Sequence, residues 1–351
     1  VIQCPDDDAE LDRVVTEIVD QRLRRGLQWR DFAILYRGNH QAKPLEIKLQ
    51  QHAVPYHISG GTSFFARNEI KDIMAYLRLI GNEHDDHAFL RIANVPRRKL
   101  GASTLESLGN FANDQHCSLS QAIGRIGSGT LPEAGLNRLR EFRLWMDRIR
   151  RQCEGGGGIS AVRQMIRDID YEEWLNQLSS SEDVAERRMG NVHFLVDSLN
   201  KVMTDEGVAL EEAISRLILR DLMEQQEEED ATPDNVQLMT MHASKGLEFP
   251  HVFIIGMEEN LLPHRASVED GNIEEERRLA YVGITRAQQT LAMTMAAKRR
   301  QFGETINCEP SRFLEELPAD DLTWQGADVD DEEANEVRGQ ETLAGLKELF
   351  A

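Results

Sequence analysis

A chain of 351 residues, 40% hydrophobic and only 6% aromatic, is long enough for two ordinary domains of a soluble, helix-rich protein. Its longest apolar runs, such as Val252-Phe253-Ile254-Ile255, fall far short of the roughly 20 residues that span a bilayer, and the opening VIQCPDDDAE lacks the basic and apolar regions of a signal peptide, so no membrane role is expected. A formal charge of -21 opposes nucleic-acid binding at face value, because phosphate contacts need Lys and Arg.

The distribution of charge weakens that objection. Residues 315–351 carry twelve acids and two bases, residues 224–234 carry six acids and no base, and together they hold -16 of the -21, which leaves room for a local basic groove elsewhere. The four cysteines (Cys4, Cys117, Cys153, Cys308) stand singly, with no CxxC pair and no clustered His. That pattern argues against a zinc site or a disulfide framework and for a reducing, cytoplasmic setting. The chain opens on Val rather than Met, and the expectation is a piece of a longer protein.

In chain order, Asp8 to Arg25 has apolar residues at helical spacing, and Asp31 to Arg37 reads as a buried strand ending in polar residues. Helices are expected at about 42–53 and 68–82. This alternation predicts a parallel sheet with helices on its faces. From 102 to 225 the pattern is helix after helix, interrupted by Gly155 to Gly158, which reads as a flexible loop. Strands return at Val236 to Thr240, His251 to Gly256 and Leu291 to Ala296, with a helix at 273–289. The predicted fold class is therefore α/β: one lobe, residues 1–128 and 229–318, split by an all-helical inserted domain at 129–228. Residues 319–351 are expected to form an acidic flexible tail with a short helix at 341–350.

Ligands of open α/β sheets bind outside the carboxyl ends of the strands, and Tyr36, Arg37, the stretch His242 to Glu248, and Arg286 are read as lying just past such ends. Two arginines on one lobe suit a phosphate, since a guanidinium offers planar, bidentate charge. Taken singly, each has a bland reading. A strand-end Arg is commonly a surface ion pair, HASKGLEF a polar turn, and EEERRLAYVGITRA a salt-bridged helix with Leu279, Tyr281 and Ile284 on its buried side. Phe302 beside Lys298, Arg299 and Arg300 suits either core packing or stacking on a base next to phosphates.

The motifs are more specific together than singly. DFAILYRGNHQAK, YHISGGTSFFARNEIKDIMAYLRLI, NVPRRKLG, VQLMTMHASKGLEFPHVFIIGMEENLLPH, EEERRLAYVGITRA and RRQFGE followed by EPSRFLEELP, in this order, resemble the carboxyl-terminal half of the UvrD/Rep/PcrA group of superfamily-one DNA helicases, over residues 1–318. The Gly-rich EGGGGISAVRQMIRDIDYE is similar to the Rep branch. The resemblance implies a RecA-like second motor lobe of an ATP-dependent 3′–5′ DNA helicase. Tyr36 matches the residue that stacks on adenine, Arg37 and Arg286 the two arginines reaching the γ-phosphate, and Glu248 the acid on the ribose, with Gly246 in the same nucleotide motif. His242 and Phe302 match DNA-contacting positions, and Arg98, Lys99 and Asn110 are assigned to the same DNA-binding set. Lys99 departs from the group's usual Arg-Gly-Ile-Gly by replacing its first Gly, which puts a tight-turn contact in doubt.

The implied cofactors are ATP and Mg2+. No Gly-Lys dipeptide occurs, so no phosphate-cradling loop is present, and no apolar strand ends in paired magnesium-binding acids. The resemblance places both on a preceding amino-terminal motor lobe of the same protein. This chain is then one wall of an ATP site, inactive alone, with Arg37 and Arg286 satisfied only when the γ-phosphate is present. The other expected partners are single-stranded DNA, its junctions with duplex, and replication or repair proteins. A stand-alone DNA- or partner-binding module without motor activity is the alternative, and a nuclease-fused relative is disfavoured.

Overall fold

A computed structural model of the chain describes residues 1–127, 129–217, 234–301 and 304–326. The proposed base-stacking residue Phe302, most of the acidic run at 224–234, and the expected helix at 341–350 lie outside them.

The strands are β1 (Ile2–Cys4), β2 (Phe32–Tyr36), β3 (Tyr56–Ser59), β4 (Val236–Thr240), β5 (Phe249–Ile254) and β6 (Ala287–Ala296), of which five form a sheet ordered β1-β6-β5-β2-β4. The pairings β1·β6, β5·β6, β2·β5 and β2·β4 are all parallel. A separate antiparallel hairpin joins β7 (Lys298–Gln301) and β8 (Glu304–Asn307). Central β2 is buried at all five residues, as a parallel strand covered on both faces requires. The α/β class with a parallel sheet is thus as the alternation predicts.

Contacts divide the chain into two compact units, Val1–Leu45 with Asn235–Ala351, and Glu46–Asp234. The first holds the sheet's centre and the helix α1 (Asp7–Arg25). Asp6 caps α1 by accepting from the Ala9 N–H at 2.8 Å, acids fill its first turn and arginines its last, and Gly26 ends it in the left-handed region. Leu11, Val14, Val15 and Ile18 give α1 its buried stripe.

The second unit is almost wholly helical. Within it, the helix Asn68–Gly81 shares one apolar core with the later helices Glu133–Gln152, Gly158–Asp168, Tyr171–Leu178 and Glu182–Glu206. Polar pairs follow the same seam. The Tyr171 hydroxyl donates to Asp72 at 2.9 Å, and Glu69 accepts from Arg188 at 3.1 Å and Asn191 at 2.8 Å. The glycine run is no loop: Cys153–Gly157 forms a wide π-helical turn that passes directly into the helix Gly158–Asp168.

Arg299 corrects a second expectation. Along β7, side chains alternate, so Lys298 and Arg300 are exposed while Arg299 points inward. Its Nη2 donates to Glu10 and, at 2.8 Å, to Glu258, and its Nε donates to Glu258 at 2.5 Å. The two carboxylates also accept from the Gly256 N–H and the Thr294 hydroxyl (Glu10) and from the Ala296 N–H (Glu258). Burial works to strip the proton from Arg299, but the two carboxylates outweigh it and hold its pKa above the ordinary value. One cation therefore ties α1, β6, β7 and the chain after β5. Breaking a buried pair leaves an uncompensated charge, so Arg299→Ala should lose about 3–5 kcal/mol of stability in denaturant unfolding; a loss below about 1 kcal/mol would show that the triad does not hold the unit together.

Candidate nucleotide and DNA face

Tyr36 ends β2 and is 1% exposed, and Arg37 follows it at the carboxyl edge of the sheet. Gln41, a buried residue that sequence reasoning did not single out, fixes the turn. Its Oε1 accepts from the Arg37 and Gly38 N–H groups at 3.1 and 3.0 Å, and its Nε2 donates to the Ile255 carbonyl at 3.3 Å. The polar turn after β2 is thereby stitched to the end of β5.

The Arg37 guanidinium lies against Glu276, in the first turn of the helix Ile273–Ile284. Nε donates to both carboxylate oxygens at 2.9 and 3.2 Å and Nη2 to one at 2.7 Å. Glu276 also accepts from the His264 N–H at 3.0 Å and the Ser267 hydroxyl at 2.9 Å, with its side chain only 4% exposed. Among the described residues, nothing accepts from Arg37 Nη1. Arg37 is therefore not left unsatisfied when nucleotide is absent, contrary to expectation: one edge of its guanidinium is occupied by protein and one nitrogen is not. No sequence signal separated Glu276 from the two acids before it. Helical spacing puts it on the inward face with Leu279, Ala280 and Gly283, and that face is visible only once the helix is docked.

The loop after β4 is pinned at both ends. The Met241 N–H donates to the Tyr36 carbonyl at 2.9 Å, and buried Ser244 donates to the Met241 carbonyl at 2.8 Å. His242, Lys245 and Glu248 are exposed around it. Gly246 has φ 85°, the left-handed region that favours Gly, and a Cβ there would meet nothing within 4 Å, so backbone conformation rather than space selects it. Glu248 accepts from the Gln288 side chain at 3.2 Å.

Arg286 follows the helix Ile273–Ile284. Gly283 lets that helix lie close on the sheet, since a Cβ there would stand 3.2 Å from Met241 Sδ and 3.3 Å from Ile254 Cδ1. The helix stops five residues short of the expected 289, and β6 begins at Ala287. All three Arg286 nitrogens have acceptors: Nε the Val282 carbonyl at 2.9 Å, Nη1 the Leu247 carbonyl at 2.8 Å, and Nη2 the Thr285 hydroxyl at 3.0 Å. Arg286 thus clasps the His242–Glu248 loop. Glu248 and Arg286 immediately precede β5 and β6, so they stand at the amino ends of parallel strands, not past carboxyl ends as expected. Tyr281, expected on the buried side, is 68% exposed, whereas Leu279 is 7% exposed and packs inward.

Within the helical unit, Arg98 is held by acceptors of the protein itself. Its Nη1 donates to the Ile92 and Val95 carbonyls at 2.7 and 3.1 Å, its Nη2 to the Tyr76 hydroxyl at 2.5 Å, and its guanidinium lies 4.5 Å from the Phe142 ring centroid. Those donors brace the loop Asn94–Gly101. Lys99 is exposed at φ 55°, the conformation the group's Gly would take without strain, and its carbonyl accepts from Arg138 at 2.8 Å. Asn110 is exposed on the helix Ala102–Asp114. Among the described residues no cluster of His, Cys, Asp or Glu could hold a metal ion, and no helix is long and apolar enough to cross a membrane.

Burial works to raise the Glu276 pKa, but the hydrogen bonds from Arg37, the His264 N–H and Ser267, with the Arg37 charge, outweigh it and hold the carboxyl at about 2 against an ordinary 4.5. A depressed folded pKa gives stability that is present above the unfolded value and lost as pH falls through the folded one. The stability advantage of the wild type over Glu276→Gln should therefore be constant above about pH 5, shrink below it, and vanish near pH 2. Unfolding free energies across that range check it; an advantage that grows on acidification would contradict the pairing.

The chain matches the UvrD-like helicase C-terminal domain over residues 1–298. It is 47% identical over 357 aligned positions to the ATP-dependent DNA helicase Rep of Salmonella typhimurium, covering 100% of this chain and 53% of that protein, and equally similar to Rep of Escherichia coli. Against the ATP-dependent DNA helicase PcrA of Bacillus subtilis it is 40% identical over 295 positions, covering 83% of this chain and 40% of that protein. The chain spans about half the length of the curated Rep relatives it matches. With the motifs around Arg37, the His242–Glu248 loop and Arg286 inside the matched region, the chain belongs to the UvrD-like helicase C-terminal domain family, in the UvrD/Rep/PcrA group.

Proposed function

We propose that the chain is the carboxyl-terminal half of a Rep-like, ATP-dependent 3′–5′ DNA helicase, acting in the cytoplasm on single-stranded DNA and its junctions with duplex. In this reading the sheet-bearing unit is a RecA-like second motor lobe, and the helical segment is an insertion into it. ATP and Mg2+ are held mainly by an amino-terminal motor lobe, which supplies the metal ligands and the phosphate-cradling loop. This chain contributes positive charge to the γ-phosphate through Arg37 and Arg286, and a hydrogen bond to the ribose through Glu248. His242 and Phe302 hold the DNA strand.

The observation that carries the reading is the state of Arg37: fixed along one edge at the carboxyl end of β2, with Nη1 lacking an acceptor among the described residues. Arg286 suits the same task differently. Its partners are two carbonyls and a hydroxyl, all neutral, and an anionic phosphate competes with them by adding an opposite charge and a bidentate match to the guanidinium. Turning Arg286 to a phosphate would release the Leu247 carbonyl and with it the loop that carries His242, so nucleotide binding and DNA grip become linked.

The chain alone should show no DNA-stimulated ATPase, and mixing it with an amino-terminal motor lobe of Rep should restore activity. In that mixture Arg286→Ala should cut turnover by about 10³- to 10⁵-fold, as for an arginine finger, while single-strand binding is largely kept. Robust turnover by the chain alone, or unchanged turnover in the variant, would overturn the reading.

A further inference from the structure

We propose that the acidic run Asp328 to Glu336 docks on Lys298 and Arg300 and competes with DNA for them, so that the chain's own carboxyl-terminal segment weakens its hold on a single strand. The inference rests on the reading of the β7–β8 segment, which carries Phe302, as part of the DNA grip, and adds a regulation of that site.

The first observation is where the chain leaves the sheet. Gln325 forms a parallel bridge with Ile2: the Gln3 N–H donates to the Gln325 carbonyl and the Gln325 N–H to the Val1 carbonyl, both at 2.9 Å. The residues before Gly326 thus line the open side of edge strand β1 and run in its direction. Parallel strands end together, so the chain comes out at the carboxyl edge of the sheet, the edge from which the loop carrying His242 also springs. Gly326 lies so close to β1 that a Cβ would run into the Gln3 carbonyl, which fixes the point of exit.

The second observation is a pair of unpartnered cations beside that exit. The Cys4 carbonyl accepts from the Ala297 N–H at 2.8 Å, and Lys298 is the next residue, so about two strand spacings, or roughly 10 Å, separate it from the exit. Lys298 and Arg300 are exposed on one face of β7, opposite Asn307 and Thr305 of β8, both neutral. No described residue accepts a hydrogen bond from either. In a chain with 61 acids against 40 Lys and Arg, two such neighbours without an acid call for a partner. Arg299 between them gives the contrast, with two carboxylates on the other face.

The third observation is reach. The acidic run begins two residues beyond Gly326 and holds six acids and no base. Four extended residues span up to about 14 Å, which brings Asp330 to Lys298 while Gln325 stays on β1. A tethered segment acts at an effective concentration on the order of millimolar, so individually weak carboxylate pairs compete with phosphates at low salt.

The test uses the whole protein with its amino-terminal motor lobe, binding a fluorescent oligothymidylate at about 50 mM salt. Ending the chain after Gly326 should tighten the Kd by about fivefold or more. It should also steepen the fall of log K with log salt by about 1.4, because two cations then release counterions instead of tail acids, at about 0.7 per single-strand contact. With Lys298→Ala and Arg300→Ala together, the same truncation should change the Kd by less than about twofold. In the full chain without DNA, a carbodiimide should join Lys298 Nζ to a carboxylate within 328–336, and saturating oligonucleotide should suppress that cross-link. A Kd unmoved by truncation would overturn the docking, and so would an equal tightening in the doubly substituted protein, which would mean diffuse repulsion by the tail. A β7–β8 segment that holds no DNA fails differently: the double substitution would then leave the truncated protein's Kd unchanged while the cross-link persists.

Discussion

The pair between Arg37 and Glu276 is the constraint on which the candidate site depends. A carboxylate 4% exposed is costly to bury without a partner, and this one collects five hydrogen bonds from Arg37, His264 and Ser267. The result joins the turn after β2 to a distant part of the chain, the segment at 264–267 and the helix Ile273–Ile284 that follows it. Without it, nothing else described would set the direction in which the Arg37 guanidinium faces.

A second constraint supports the first from behind. Arg299, between Glu10 and Glu258, ties α1 and β7 to the chain just beyond β5, and Gln41 reaches the Ile255 carbonyl beside the same segment. The carboxyl edge of the sheet is thus a rigid surface, whereas the amino edge carries Arg286 and the exposed loop bound to it by neutral acceptors. The helix Ile273–Ile284, closely laid on the sheet at Gly283, is the connection between them.

Much of this was legible in the sequence where local pattern and tertiary demand coincide. The five apolar residues of β2 have no polar face to expose, so a central parallel strand is their only economical use, and the spacing of Leu11, Val14, Val15 and Ile18 marks α1 directly. Short strands such as β1 and β3 carry no such pattern, because their pairing partners and not their own residues define them. The same limit governs single side chains. Arg98 and Arg299 both read as surface cations suited to phosphate, and both are turned inward by acceptors far away or around a bend: carbonyls and the Tyr76 hydroxyl for one, two buried acids for the other. Tyr281 fails in the opposite sense, an aromatic at helical spacing that the docked helix leaves outside. The functional motifs were recognisable as strings, but their partners, Glu276 and Gln41, were not, since a second layer of hydrogen bonds has no sequence periodicity.

The central claim is that Arg37 and Arg286 of this chain complete a nucleotide site whose other wall lies elsewhere. The most direct measurement is nitrogen-15 NMR of the arginine side chains, recorded with ADP and aluminium fluoride as a γ-phosphate mimic. The account predicts that the Arg37 and Arg286 guanidinium signals shift when an amino-terminal motor lobe is present and stay unmoved in the chain alone. Shifts of equal size in the isolated chain, or no shift of either arginine in the complete assembly, would contradict it.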